Sequence, residues 1–290
     1  MKALDVLYRF VEKKENCFIY VFLPIFVAKY GQGHYRQSIK AIRDFTQYST
    51  SEGGVRTFLE LDLNQTLKKM QQWTRSKNTH IRRLASEGCR PRLPWAKKVS
   101  GLIENPELTW PILDALREDP EKYVQKSVAN HLNDISKDHP DWVIRKIRGW
   151  NLKHPVTRWI VTHGTRTLIK QGHKGALALN GNHHKPQVTL ENVLWNNSVK
   201  LGGICQLSLD VISKSKKSQS LVIDYQIYFC KSNGKLKPKT FKLKKYTLMP
   251  NEKLSFGYVF LPLSVTGILR LLLMRPIESF SMIFFIFTSP

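Results

Sequence analysis

From about Phe22 to Leu179 the apolar residues recur three and four positions apart, as in Leu59, Leu63 and Leu67 or Ile112, Leu113 and Leu116. That spacing gives a helix one buried face, so the region is expected to be helical throughout. Pro106, Pro111, Pro120, Pro140 and Pro155 sit near the expected helix starts and ends, where a missing N–H costs least. Nothing in this region alternates as a strand does. The stretch Cys17 to Ala28 is apolar, too short to span a bilayer easily and without a small-residue cleavage pattern, so it reads as a buried helix.

After Gly181 the pattern changes. Residues 182–186 (Asn-His-His-Lys-Pro) read as a linker. Gln187–Leu190, Cys205–Ile212, Leu221–Phe229 and Lys239–Tyr246 are rich in β-branched and aromatic residues, often alternate, and are separated by Gly, Ser, Asn and Lys turns. They predict a small antiparallel sandwich. The stretch from Tyr258 to Pro290 is very apolar but interrupted by Arg270, Arg275 and Glu278, and it fits neither an amphipathic strand series nor an unbroken membrane span. The expected division is a helical domain over 1–181, the linker 182–186, an immunoglobulin-like β domain over 187–260, and an apolar tail over 261–290 with no assigned structure.

A faint repeat runs through the helical part. His80–Glu87, Tyr123–Asn130 and Arg158–Thr165 each open on an aromatic or basic residue and then carry basic or polar positions, with small residues on the buried side. Their spacing, roughly 35–45 residues, suits a two-helix HEAT-like unit stacked into an α-α superhelix. Such a stack has a concave face built from one helix per repeat, and basic residues repeated on that helix would line a groove.

Charge makes that groove informative. The 290 residues carry 46 Lys+Arg against 22 Asp+Glu, a net charge of +24. A surplus of that size attracts a polyanion, nucleic acid or anionic membrane. The four cysteines form no CxxC pair, which argues against a zinc site or disulfide framework and fits a reduced, cytoplasmic setting. No phosphate-binding loop, dinucleotide fingerprint, HExxH or nucleophile elbow is present. His183 and His184 are a pair without a nearby third ligand, a weak metal signal. The run Lys235, Lys237, Lys239, Lys242, Lys244 and Lys245 reads either as a charged guard on an edge strand, the preferred reading, or as an extension of a nucleic-acid contact.

Three phrases carry candidate chemistry. In residues 81–96 (IRRLASEGCRPRLPWA), Arg82, Arg83, Arg90 and Arg92 surround Glu87, and Trp95 follows. Gly88 and Pro91 break the helix, so Arg90 and Arg92 are expected to project from the turn and grip phosphates. Glu87 either neutralises its neighbours or has a task, because a carboxylate in a DNA groove repels the ligand. In residues 127–140, Asn130, Asn133 and Asp134 share one helical face, opposite Val128, Leu132 and Ile135. That polar face has poor helix propensity and serves either inter-helix hydrogen bonding or a site. In residues 158–170, Arg158, Thr162 and Arg166 follow at four-residue steps and would track a phosphate backbone.

On these phrases the chain resembles the DNA alkylation repair glycosylases with HEAT-like repeats, specifically the AlkC branch. Residues 81–96, 123–141 (YVQKSVANHLNDISKDHPD) and 162–179 (THGTRTLIKQGHKGALAL) carry the likeness, with 22–31 (FLPIFVAKYG) and 44–58 (DFTQYSTSEGGVRTF) before them. The β-rich segment resembles the immunoglobulin-like domain that follows the repeats in this branch. The resemblance implies a glycosylase that removes N-alkylated bases such as 3-methyladenine from double-stranded DNA without extruding the nucleotide, needing no cofactor or metal. It implies Glu87 and Asp134 as the catalytic carboxylates, stabilising an oxocarbenium-like sugar and positioning water. Trp95, Asn130 and Asn133 are then base or sugar contacts, and Arg82, Arg83, Arg90, Arg92, Lys126, Arg158, Thr162 and Arg166 phosphate contacts. A monomer acting on alkylated duplex DNA, away from membranes, is expected.

The chain departs from the family pattern in three places. Gln125-Lys126 stands where two arginines are usual, which implies one weaker phosphate contact. The leading helices expected before Phe22 are largely missing, and the tail after about Tyr258 does not resemble the closing strands. Two other classes compete: a repeat protein that binds damaged or structured DNA without catalysis, and a helical protein-binding scaffold. Glu87 and Asp134 favour the enzyme over the first, and the net charge disfavours the second.

Overall fold

Helix follows helix from Lys2 to Leu179 in the computed structural model of the chain, which describes residues 2–12, 15–180, 186–195, 204–230, 233, 235–260, 267–273 and 280–286. Among these residues there are thirteen α-helices: α1 Lys2–Val11, α2 Phe22–Tyr30, α3 Tyr35–Phe45, α4 Glu52–Leu61, α5 Leu63–Trp73, α6 Thr79–Glu87, α7 Ser100–Glu104, α8 Trp110–Ala115, α9 Lys122–Ile135, α10 Pro140–Ile147, α11 Pro155–Gly164, α12 Arg166–Lys170 and α13 Lys174–Leu179. Seven strands follow. The chain divides into two compact units, Met1–Leu168 and Ile169–Pro290. The described residues contain no helix long and apolar enough to cross a membrane.

The punctuation read from the sequence does its work in the first unit. Pro111, Pro140 and Pro155 each occupy the first turn of a helix. Leu59, Leu63 and Leu67 lie on two helices rather than one, because Asp62 caps α5 by accepting the Gln65 N–H at 2.9 Å. The apolar stretch after Cys17 forms a short 3₁₀ turn, Phe18–Val21, and then α2. Burial there is one-sided, contrary to the expectation of a buried helix: Leu23, Pro24 and Val27 are inside, while Phe18, Ile19, Phe22 and Ile25 are exposed.

The three repeat phrases fall on α6, α9 and α11, and these helices pack side by side, α9 against both neighbours. Close approach is possible because Gly164 of α11 faces α9. A Cβ there would lie 2.9 Å from the Leu132 Cβ and 3.2 Å from the Ala129 carbonyl oxygen. Being central, α9 is buried on both flanks. Val128, Ala129, His131, Leu132, Asn133, Asp134 and Ile135 are all inside, so the separation of Asn133 and Asp134 from a core face does not hold in the fold.

In the second unit two antiparallel sheets carry β1 Val188–Trp195, β2 Cys205–Ser213, β3 Gln219–Cys230, β4 Leu236–Leu248, β5 Lys253–Phe260, β6 Gly267–Leu273 and β7 Phe280–Ile286. The order is β1-β2-β5 in one and β4-β3-β6-β7 in the other. Leu207, Leu209 and Val211 of β2 and Leu221, Ile223, Tyr225 and Ile227 of β3 are buried at every second position, the period-two signature of one inward face. β4, which holds the lysine run, is an edge strand, where positive charge discourages pairing with another chain. The apolar stretch that the sequence left without an assigned element carries β6 and β7. His183 and His184 lie outside the described residues.

Candidate active site

Two arginines and three carboxylates alternate at the meeting point of α4, α6 and α9. Glu52, in the first turn of α4, pairs with Arg83 and accepts from the Thr50 hydroxyl. Arg83 also reaches Glu87 at 3.5 Å, one helical turn along α6. Glu87 Oε1 accepts from Arg90 Nη1 at 2.6 Å, and its Oε2 accepts from the Ser127 hydroxyl of α9 at 2.7 Å. Arg90 continues the chain to Asp134, donating to Oδ2 from Nε at 2.9 Å and pairing through Nη2 at 2.8 Å. Lys137, one turn further on, holds the other oxygen of Asp134 at 3.1 Å.

Both expected catalytic carboxylates are almost fully buried, Glu87 at 6% and Asp134 at 2% exposure. Arg90 between them is 8% exposed. Burial alone would depress the pKa of this guanidinium, but Glu87 and Asp134 beside it more than reverse that and hold it above its ordinary value. The same holds for Arg83, where burial is outweighed by Glu52 and Glu87. The Arg83 guanidinium also lies 4.9 Å from the Tyr123 ring centroid. The result is a fixed, low-dielectric row of alternating charges.

The segment between α6 and α7 is held from beneath. Arg56 of α4 is 2% exposed and has no carboxylate partner among the described residues. Its Nη1 donates to the carbonyls of Gly88 and Arg90 at 3.0 and 2.9 Å, and its Nε to that of Lys97 at 2.5 Å. Both ends of the loop that carries Arg90 and Trp95 are thereby tied to one side chain. Trp95 is fully exposed, at 106%, and its φ of 59° lies in the left-handed region that a bulky residue rarely adopts. It stands clear of the core.

The structure separates the remaining sequence candidates. Asn133 Oδ1 accepts from the Thr167 hydroxyl at 2.8 Å, and Asn130 Oδ1 from Arg166 at 3.1 Å, so both asparagines bind the start of α12. Arg166 belongs to that helix, and the stripe with Arg158 and Thr162 is interrupted at Thr165. Arg82 is turned to Asp119, at 2.6 and 3.1 Å, and to the Ser76 and Lys77 carbonyls. Arg92 makes a two-point pair with Asp138 at 3.0 and 2.6 Å. Lys126, Arg158 and Thr162 remain exposed. Gln125, read as a weakened phosphate contact, is buried and donates to the Asp119 and Pro120 carbonyls.

Sequence reasoning missed Glu52, Arg56 and Ser127. Glu52 had a signal in the phrase 44–58, but only the fold brings it to Arg83. Among the described residues no group of three or more His, Cys, Asp or Glu side chains is placed to hold a metal ion.

Comparison with known proteins gives this geometry a context. Residues 28–165 match the family described as DNA alkylation repair enzyme, and residues 188–259 match the C-terminal Ig-like domain described for the uncharacterised protein YhaZ. The uncharacterized protein YhaZ of Bacillus subtilis (strain 168) is 41% identical over 237 residues, covering 81% of this chain and 66% of that protein, slightly under two thirds of its length. Among solved structures, the Pseudomonas fluorescens alkylpurine DNA glycosylase AlkC, bound to DNA containing an abasic site analog, matches with a TM-score of 0.91 and 38% identity. The match covers 98% of this chain and 82% of that one.

Proposed function

The chain belongs to the DNA alkylation repair enzyme family, and on that premise we propose that it hydrolyses the N-glycosidic bond of alkylated bases such as 3-methyladenine in double-stranded DNA. The observation that carries this reading is the row Glu52–Arg83–Glu87–Arg90–Asp134, in a chain whose fold matches a DNA glycosylase. Alkylation places positive charge on the base and weakens its bond to the sugar. As the bond breaks, its electron pair goes to the base, which leaves neutral, and positive charge develops on the deoxyribose.

Fixed carboxylates stabilise that charge most when they need not reorganise as it forms. Arg83 pairs with Glu87 and Arg90 with both Glu87 and Asp134, so the carboxylates are held in place before DNA arrives. Water then adds at the sugar carbon, and its proton passes to a carboxylate of the row. Trp95, exposed on the tethered loop, offers an aromatic face to a cationic base, worth roughly 0.5–2 kcal/mol. In this reading the reaction proceeds without extruding the nucleotide, unlike the base-flipping route. No metal or diffusible cofactor enters this scheme, and the protein acts as a monomer in the cytoplasm. A second reading, DNA binding without catalysis, is favoured by one observation: both carboxylates are nearly inaccessible and already paired.

The test is release of free base from methylated duplex DNA in single turnover with EDTA present. Release of 3-methyladenine is expected. Glu87→Gln and Asp134→Asn should each keep most duplex affinity and slow release at least about tenfold, roughly 1.4 kcal/mol in the barrier. Duplex binding with no release selects the second reading, and unchanged rates in both variants remove the carboxylates from the chemistry.

A further inference from the structure

Away from the carboxylate row, α3 and α5 enclose a cleft of about 890 Å³ in the helical unit. Its cationic walls are Arg36, Lys40 and Arg43 from α3, Lys69 from α5, and Arg75 from the turn that follows. No acidic residue lines it. The three α3 cations fall on one face by their four- and three-residue steps, beside the buried Ala41, Ile42 and Phe45.

Local neutralisation is slight. Lys40 and Arg43 share one carboxylate, that of Asp44, at 3.0 and 2.6 Å, and Asp44 also accepts from the Tyr8 hydroxyl at 3.0 Å. Arg36, Lys69 and Arg75 are exposed and have no carboxylate partner among the described residues. Packing gives no reason for five like charges on one concavity. A concavity lined by one sign of charge focuses its field outward and draws in a counter-charged ligand.

We propose that this cleft grips the phosphate backbone of duplex DNA, as a second contact separate from the carboxylate row. The inference rests on duplex DNA being the ligand, as in the function proposed above. Arg36 and Arg43 are about 10 Å apart along α3 at about 1.5 Å per residue. One DNA strand carries a charge about every 3.4 Å of axis, so this row matches about three phosphates. Guanidinium groups suit phosphate oxygens in two-point geometry, and Gln65 and Gln72 add neutral donors on the α5 wall. Ile81, at the edge of the cleft, and Glu87 lie on the same helix, about 9 Å apart along its axis. Ile81 and Arg83 are two residues apart and so fall on opposite sides of that helix, which makes the cleft a contact of its own and not a continuation of the carboxylate row.

The experiment compares the full chain with the triple variant Arg36→Ala, Lys69→Ala, Arg75→Ala, and with a control triple, Arg145→Ala, Arg148→Ala, Lys153→Ala. Affinity for an undamaged duplex is measured across a range of salt, and single-turnover base release at saturating protein is measured beside it. The slope of log K against log salt should become shallower by about 2 to 3 in the cleft variant, at roughly 0.9 per lost phosphate contact. It should stay near the wild-type value in the control, and base release in the cleft variant should be unchanged. An unaltered slope in the cleft variant, or an equal loss in the control, overturns the proposal. Wild-type protein that binds duplex steeply but releases no base would fail the glycosylase reading and leave the cleft assignment standing.

Discussion

Arg90 and Asp134, 44 residues apart in the chain, meet inside the helical unit with Nε and Nη2 of the guanidinium both on Oδ2, at 2.9 and 2.8 Å. The same guanidinium holds Glu87 at 2.6 Å. Removing one member of a buried ion pair leaves an uncompensated charge and typically costs about 3–5 kcal/mol. Arg90→Ala leaves two carboxylates facing each other and should lower the unfolding free energy by that order in urea titration. Arg90→Lys keeps the charge but not the fork. It should remain folded, bind duplex, and release base at least about tenfold more slowly. Wild-type stability in Arg90→Ala would show that the pair holds nothing together.

Trp95 should separate function from folding. It is fully exposed, with φ at 59°, so Trp95→Gly puts at that backbone conformation a residue that adopts it freely. The variant is expected to be as stable as the parent or more so by a few tenths of a kcal/mol, and to lose base release. A drop in its melting temperature would mean that the indole packs where the fold shows it free.

Arg56 is the tether of the loop that bears Trp95. In Arg56→Met the carbonyls of Gly88, Arg90 and Lys97 lose their donor, and a buried group left unpaired costs about 1–3 kcal/mol. Trypsin should cut after Arg92 or Lys97 in this variant earlier than anywhere else in the helical unit. An unchanged digestion pattern would rule out the tether.

His131 gives the fold an acid-sensitive point next to the site. It is fully buried, its Nδ1 is 3.0 Å from the Ser86 carbonyl oxygen, and burial, with Arg90 and Arg56 nearby, pushes its pKa down to about 3. The unfolded chain protonates this histidine near its ordinary value of about 6.5, while the folded chain does not until about pH 3. The unfolded state therefore binds the extra proton across that window, and stability falls as pH drops through it. His80, pushed down by burial and by Arg83, acts in the same direction. Urea midpoints should decline between pH 7 and pH 5, above the range of most carboxylates, and His131→Asn should flatten part of that decline. An equal slope in the variant would assign the effect elsewhere.

Much of this was legible in the chain, and for a definite reason. Helices and strands follow from the spacing of apolar residues, and caps and breaks from single residues such as Asp62 and Pro140, all interactions within a few positions. The repeat phrases marked α6, α9 and α11, the helices that pack together, and the basic surplus pointed to a polyanion before any contact was known. The identity of Glu87 and Asp134 as candidates also came from local context, a carboxylate among arginines and a polar helix face.

What each charge does was decided only by tertiary packing. Arg82, Arg83, Arg90 and Arg92 all read as phosphate contacts, yet the fold turns each to a carboxylate brought from elsewhere: Asp119, Glu52, Asp134 and Asp138. Spacing cannot distinguish an arginine aimed at solvent from one aimed at a neighbouring helix, because the partner lies 31 to 46 residues away. Asn130 and Asn133 bind the start of α12 for the same reason, and Trp95 stands exposed because its loop is tethered at both ends. A sequence fixes which groups a helix face carries; the desolvation and pairing of those groups depend on what the rest of the chain lays against that face.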